Sequence, residues 1–261
     1  MFRLFLHSIC FLFVLPVMAA PALREAPNAT ATPANQLVLA GNACGPTALL
    51  NAFRFGNPSW QNVLVRLPGP TDKERVSAII RSYGMRPSAN LKGRPRWSRK
   101  GVNLADLADM ANEMTHGQYL PFINQEILFL KPKETPEKLL RRCHDRLATS
   151  MGKGLPPIIS LRRYAKRGGT WVVLDAHFVT LKSLPAKLDK NATSFPVTYI
   201  DPWGGKIAEG SIEIASSGVL AGVQGTSPCL EANFPNAAVG KKLVRKGETT
   251  ALAVAALLGR W

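Results

Sequence analysis

Gly154 divides this chain into two kinds of sequence. Before it, apolar residues recur at helical spacing; after it, short apolar runs alternate with Gly, Pro and Asp. A helix buries one stripe and a strand one face, so helices followed by strands have few ways to hide both. The pattern predicts an α+β domain, with N-terminal helices packed on a C-terminal antiparallel sheet.

Leu49, Leu50 and Phe53 fit a first helix over about 45–55, ended by Gly56 and Pro58. Thr71, with Glu74 three residues on, has the form of a capping box opening a second helix that stops at Gly84. Asn103 is placed to cap a third helix, closed by Gly117, and Thr135–Pro136 opens a fourth that runs to about Ser150. Strands are predicted at 157–164, 170–174, 176–184, 196–200 and 206–214. Residues 249–258 are apolar and Ala-rich and fit either a helix or a strand.

Residues 1–22 have the form of a secretory signal: Arg3, a mostly apolar run over 4–17, then Ala19, Ala20 and Ala22 for cleavage. The Ala- and Pro-rich stretch 23–35 is expected to be a flexible leader. Residues 36–261 then form one catalytic-sized domain, with a helical and basic insertion around 57–153. No later stretch is long and apolar enough to span a bilayer. The expected location is secreted or periplasmic.

Lys and Arg number 33 against 17 Asp and Glu, a net charge of +16. That balance favours anionic surroundings. Seven bases (Arg81, Arg86, Lys92, Arg94, Arg96, Arg99 and Lys100) fall between 81 and 100 with no acid, and Trp97 sits among them. No nucleic-acid motif accompanies the run, so it is expected to be a solvated basic loop, with an anionic cell-envelope polymer as a conceivable partner and no nucleic acid. With Cys10 lost in the signal, Cys44, Cys143 and Cys229 remain. An odd count in an oxidising compartment suggests one free thiol. Cys143 and Cys229 are then either bridged or both buried as thiols.

Cys44 carries the chemistry. It lies in Gly41-Asn42-Ala43-Cys44-Gly45-Pro46-Thr47, at the mouth of the first helix. Free N–H groups and partial positive charge there favour a thiolate, the nucleophilic form. A small buried hydrophobe is the alternative. A thiol nucleophile needs a base, and the base needs an orienting group. His116 ends the third helix and His144 sits among charges, both expected to face solvent. His177 lies inside the apolar run 174–181. Asp201 closes Tyr199-Ile200-Asp201 before a Pro/Gly turn, where a carboxylate can reach a histidine on the neighbouring strand. Asp175 is a closer neighbour of His177 and less suited to orient it.

Asn-Ala-Cys-Gly-Pro-Thr-Ala-Leu-Leu at 42–50, His-Phe-Val-Thr-Leu at 177–181 and Tyr-Ile-Asp-Pro-Trp-Gly-Gly at 199–205 occur in that order. Together they resemble the papain-like cysteine peptidases of the C39-like group, over about residues 36–210. The resemblance implies a papain-like cysteine peptidase fold, with Cys44 as nucleophile, His177 as base and Asp201 as orienter. It also implies a glutamine about six residues before the cysteine as an oxyanion donor. That position is Val38, and Gln36 and Asn42 are the nearest amides. Trp203 is a candidate to line the cleft, or is core packing.

No Gly-x-x-x-x-Gly-Lys-Ser/Thr loop, His-Glu-x-x-His or paired Cys-x-x-Cys is present, so neither a nucleotide, a metal nor another cofactor is expected. The expected activity is hydrolysis of a peptide or isopeptide bond in a peptide or protein substrate, through a thioester. An acyltransferase or transpeptidase would use the same residues with a different acceptor. A non-catalytic cationic protein of the cell surface is the third reading.

Overall fold

A computed structural model describes residues 22–39, 41–215, 220–222, 225–226, 230–237 and 239–261. Its helices are α1 (Cys44–Arg54), α2 (Pro58–Val65), α3 (Asp72–Ile79), α4 (Leu104–Thr115) and α5 (Pro136–Gly152). Its strands are β1 (Leu23–Glu25), β2 (Trp97–Ser98), β3 (Gly101–Val102), β4 (Asn124–Ile127), β5 (Ile158–Arg167), β6 (Thr170–Pro185), β7 (Ser194–Asp201), β8 (Lys206–Ile214), β9 (Leu220–Gly222), β10 (Gly225–Thr226), β11 (Leu230–Asn233) and β12 (Thr250–Gly259). Among the described residues no helix is long and apolar enough to cross a membrane.

The expected α+β arrangement, a papain-like fold with helices packed on an antiparallel sheet, is not what forms. The fold is mixed α/β around a closed antiparallel barrel. Its six strands run β6-β5-β12-β11-β8-β7, and β7 pairs back to β6. β12 makes closure possible, because it bonds β5 along one edge and β11 and β4 along the other. Its run of Ala, Leu and Val is buried on both faces, which erases the alternation that marks a strand in sequence. β6 is one strand of 16 residues rather than two short ones. It pairs with β5 and, further along the same edge, with β1, and with β7 on the other edge. Register shifts at Arg163/Tyr164, Leu181/Ser183 and Val254/Ala256 bend these strands into a ring.

Two cores result. Val179 and Leu181 of β6, Leu161, Tyr199, Leu252 and Val254 share one with the apolar stripe of α5, Leu139, Leu140, Cys143, Leu147 and Met151. The N-terminal helices gather in the other, around Phe53, Trp60, Val76, Ile79, Leu107 and Met110, and meet the barrel only along its outer wall at Ile158, Phe178 and Leu258. Pro58, expected to end the first helix, instead begins α2, with Asn57 accepting from Trp60 N as its cap.

The stretch 23–35, expected to be a leader, lies on this body. Leu23–Glu25 pair with β6, and Ala26 and Ala34 are buried. The expected signal segment falls almost wholly outside the described residues. The basic run 81–100 is partly neutralised: Arg86 and Arg96 both pair with Glu113, and Arg96 is buried.

Candidate functional site

α1 is buried along nearly its whole length, from Cys44 to Phe53. Val102 of β3 approaches its first turn so closely that a Cβ on Gly45 would lie 2.4 Å from Val102 Cγ1. Gly45 therefore lets β3 press against the helix start. Asn57, Thr71, Asn103 and Thr135 cap the other four α-helices with their side chains, but Ala43 gives α1 no such cap. The first N–H groups of α1, where Cys44 sits, keep no side-chain acceptor.

β6 runs along α1, and Thr180 Oγ1 donates to Ala48 O at 3.0 Å. The β6–β7 register sets Thr180 opposite Ile200 and Leu181 opposite Tyr199. That register makes Asp201 the diagonal neighbour of His177 where β7 ends. His177 Nε2 bonds Asp201 Oδ1 at 2.7 Å, and both side chains are buried. Trp203 N donates to the same Oδ1 at 2.8 Å, so the turn after β7 holds the carboxylate still. With Nε2 committed to Asp201, Nδ1 is the ring atom left to face Cys44, whose side chain acts on His177 to raise it. Burial pushes the imidazole down, but the bond to Asp201 and then the Cys44 side chain outweigh it, and the ring is pushed up to about 10. It keeps its proton through neutral pH.

Cys44 and His177 open onto a cleft of about 230 Å³, lined also by Gln36, Asn42, Trp203, Asp175 and the turn Val239–Leu243. A wider depression of about 730 Å³ lies at the C-terminal end of α4, beside His116 and Tyr119. It contains no cysteine and no histidine–carboxylate pair bonded to each other, so the smaller cleft is the candidate site.

Gln36 is 2 % exposed, and its Oε1 is buried with no partner among the described residues. Val38, the position implied by resemblance, is at the surface. A chain of bonds brings Gln36 in. Asn51, two helical turns beyond Cys44, accepts from Ala34 N at 2.7 Å and donates to Ala34 O at 3.4 Å. Asn35 then accepts from Gly204 N at 3.1 Å, and Gln36 N donates to Pro202 O at 2.8 Å. The segment is thus strapped between α1 and the turn that carries Trp203. A polar residue in the middle of a wholly buried helix was the signal in the sequence for this strap. Asn51→Ala should cost about 2–3 kcal/mol, because both backbone groups of Ala34 lose their partner. An unchanged urea midpoint would show that other contacts hold the strap.

Asn42 also borders the cleft; its backbone O accepts from Trp97 Nε1 at 3.0 Å. Trp203 is 45 % exposed, so it is a cleft wall rather than core. Sequence reasoning passed over Asp175 as anything but a neighbour. Its Oδ1 accepts from Ala176 N and its Oδ2 from Gly240 N, both at 2.9 Å, and this fixes the 239–243 turn beside the cleft. Gly240 has φ +64° and a Cβ there would meet Arg163 at 2.9 Å, so the turn requires glycine.

His144 is not solvent-facing as expected: it is buried, bonds Pro185 O at 2.9 Å and packs edge-on to Phe195. His116 is exposed. Cys143 is wholly buried, and burial pushes its thiol up. Cys229, its suggested partner, lies outside the described residues. Among the described residues, no group of three or more His, Cys, Asp or Glu could hold a metal ion. Compared with protein-family models, curated proteins and solved structures, the chain matches none.

Proposed function

We propose that this chain is an exported cysteine hydrolase that cleaves a peptide or isopeptide bond. It would carry the chemistry of the C39-like peptidases, which it resembles in motif order, on a barrel scaffold. The observation that carries the reading is the histidine: His177 is bonded to Asp201 and lines one cleft with Cys44, whose side chain acts on it.

Cys44 attacks the scissile carbonyl as a thiolate, and His177, already protonated, gives its proton to the departing amine. The resulting thioester is hydrolysed by a water whose proton passes to His177. Asp201 holds the ring so that one nitrogen always faces the sulfur. The uncapped first turn of α1 offers the N–H of Cys44 to the developing oxyanion. A half-turn of the Gln36 carboxamide offers it Nε2 as a second donor, since Oε1 has no partner to lose.

Digestion of a denatured protein mixture, with new N-termini read by mass spectrometry, tests the reading. New N-termini should appear with the wild type and not with Cys44→Ala, and Gln36→Ala should slow them about 10²-fold. The absence of both new N-termini and newly freed lysine side chains from the wild-type digest would overturn the hydrolase assignment.

A further inference from the structure

One basic turn lines the cleft and a second is bonded to a lining residue, and each hangs on the residue two positions before a reacting side chain. Asn42, two before Cys44, donates its N–H to the carbonyl of Arg99 at 3.2 Å, and its Nδ2 donates to the carbonyl of Lys100 at 3.5 Å. That fixes the tip of the β2–β3 hairpin, where Arg99 and Lys100 are exposed. Asp175, two before His177, holds Gly240 N at 2.9 Å, and Arg163 Nε holds Val239 O at 3.0 Å. That fixes the turn carrying Lys242, which is exposed and lines the cleft. Arg99, Lys100 and Lys242 have no ion-pair partner among the described residues, whereas Arg54, Arg96, Arg142, Arg146 and Arg167 do.

The cleft's own acids offset these charges only in part. Asp175 is its one acidic lining residue, and both carboxylate oxygens are taken up by backbone N–H groups. Asp201 is buried behind the histidine. Three unpaired cations on clamped turns outnumber the single Asp175 carboxylate and make the field at the cleft mouth net positive. Folding does not need that field: exposed turns gain nothing from three unpaired cations.

We infer that the cleft selects an acidic peptide, with carboxylate side chains flanking the scissile amide that meet the Arg99–Lys100 hairpin and the Lys242 turn. The inference rests on the reading of Cys44 as nucleophile, and it names the substrate class of that site.

Binding can be measured without the reaction. A fluorescent Glu-rich peptide is titrated into the full chain carrying Cys44→Ala, and anisotropy is followed at low and high salt. The peptide should bind, and a Lys-rich peptide of equal length should not. Adding Lys242→Glu or Lys100→Glu should each weaken binding about three- to fivefold at low salt, and high salt should remove most of the difference. Lys190→Glu, on an exposed loop outside the cleft, should leave binding within about twofold.

No binding of the Glu-rich peptide, or binding indifferent to both lip reversals, would overturn the inference. Binding of a sulfated polysaccharide in place of the peptide would also overturn it, in favour of an envelope polymer. None of these outcomes depends on Cys44 reacting, so a failed nucleophile would show separately, as unaltered hydrolysis in Cys44→Ala.

Discussion

Cys44→Ala is expected to lower hydrolysis by at least about 10⁴-fold while the protein stays folded. Removing the nucleophile of a covalent mechanism leaves only the binding and oxyanion contributions. The fold should tolerate the change because Cys44 occupies a small, 7 %-exposed site that alanine fills with little loss, on the order of 1 kcal/mol. Alkylation by iodoacetamide, mapped by peptide mass, should modify Cys44 in the wild type and leave Cys143 untouched. Cys143 is fully buried on α5, and its thiol holds its proton more tightly than usual. If hydrolysis persists in Cys44→Ala with a normal unfolding midpoint, the nucleophile lies elsewhere.

Asp201 separates two roles that the structure joins. Asp201→Ala removes the bond that holds His177 and leaves a buried ring without an orienter. It should cost about 3 kcal/mol in stability and about 10²–10⁴-fold in kcat/KM. Asp201→Asn keeps an oxygen that accepts from His177 and from Trp203 N, so its rate loss should be nearer tenfold. Its pH profile should still move. Burial depresses the ring, and the bond to Asp201 and the Cys44 side chain raise it past that to about 10. Taking the charge from Asp201 lets the ring fall back toward its usual value near 6.5, so the alkaline limb of activity should shift to lower pH. The same sign governs stability. A raised histidine stabilises the fold fully below about pH 6.5 and loses that contribution as pH climbs through about 10. In Asp201→Asn the loss should begin earlier. An alkaline limb that stays in place would mean that Asp201 does not set the protonation of His177.

The site was more legible in the sequence than the scaffold. Cys44, His177 and Asp201 are polar residues in apolar surroundings, at a helix start, within a strand and at a strand end. Each of these positions carries its own local signal. Thr71 with Glu74, Asn103 and Thr135 likewise marked their helices, because a cap is a short-range bond. The barrel was not legible, because closure depends on which edges pair and not on the pattern of any one strand. β12 hid its identity by being buried on both faces. Gln36 could be named only alongside Asn42, as one of the nearest amides, because counting back from Cys44 assumes a regular path. Asn51 and the turn at Gly204 and Gly205 reroute the chain and make up the two-residue offset. His144 was misplaced because its sequence neighbours Arg141, Arg142, Asp145 and Arg146 are half-buried or exposed, while His144 is buried with Cys143 and Leu147. Residues 23–35 looked unstructured because they make no element longer than three residues, yet they hold β6 and Gln36 in place.

The account turns on an acyl group passing through Cys44, and the intact mass of the acid-quenched protein tests that directly. After brief incubation with a slowly hydrolysed activated ester, the wild type should gain one acyl group. Peptide mapping should locate it on Cys44, hydroxylamine should remove it, and His177→Gln should form it at least about 10²-fold more slowly. An acyl group found on another residue, or gained equally by Cys44→Ala, would contradict the assignment of this cleft as an acyl-transfer site.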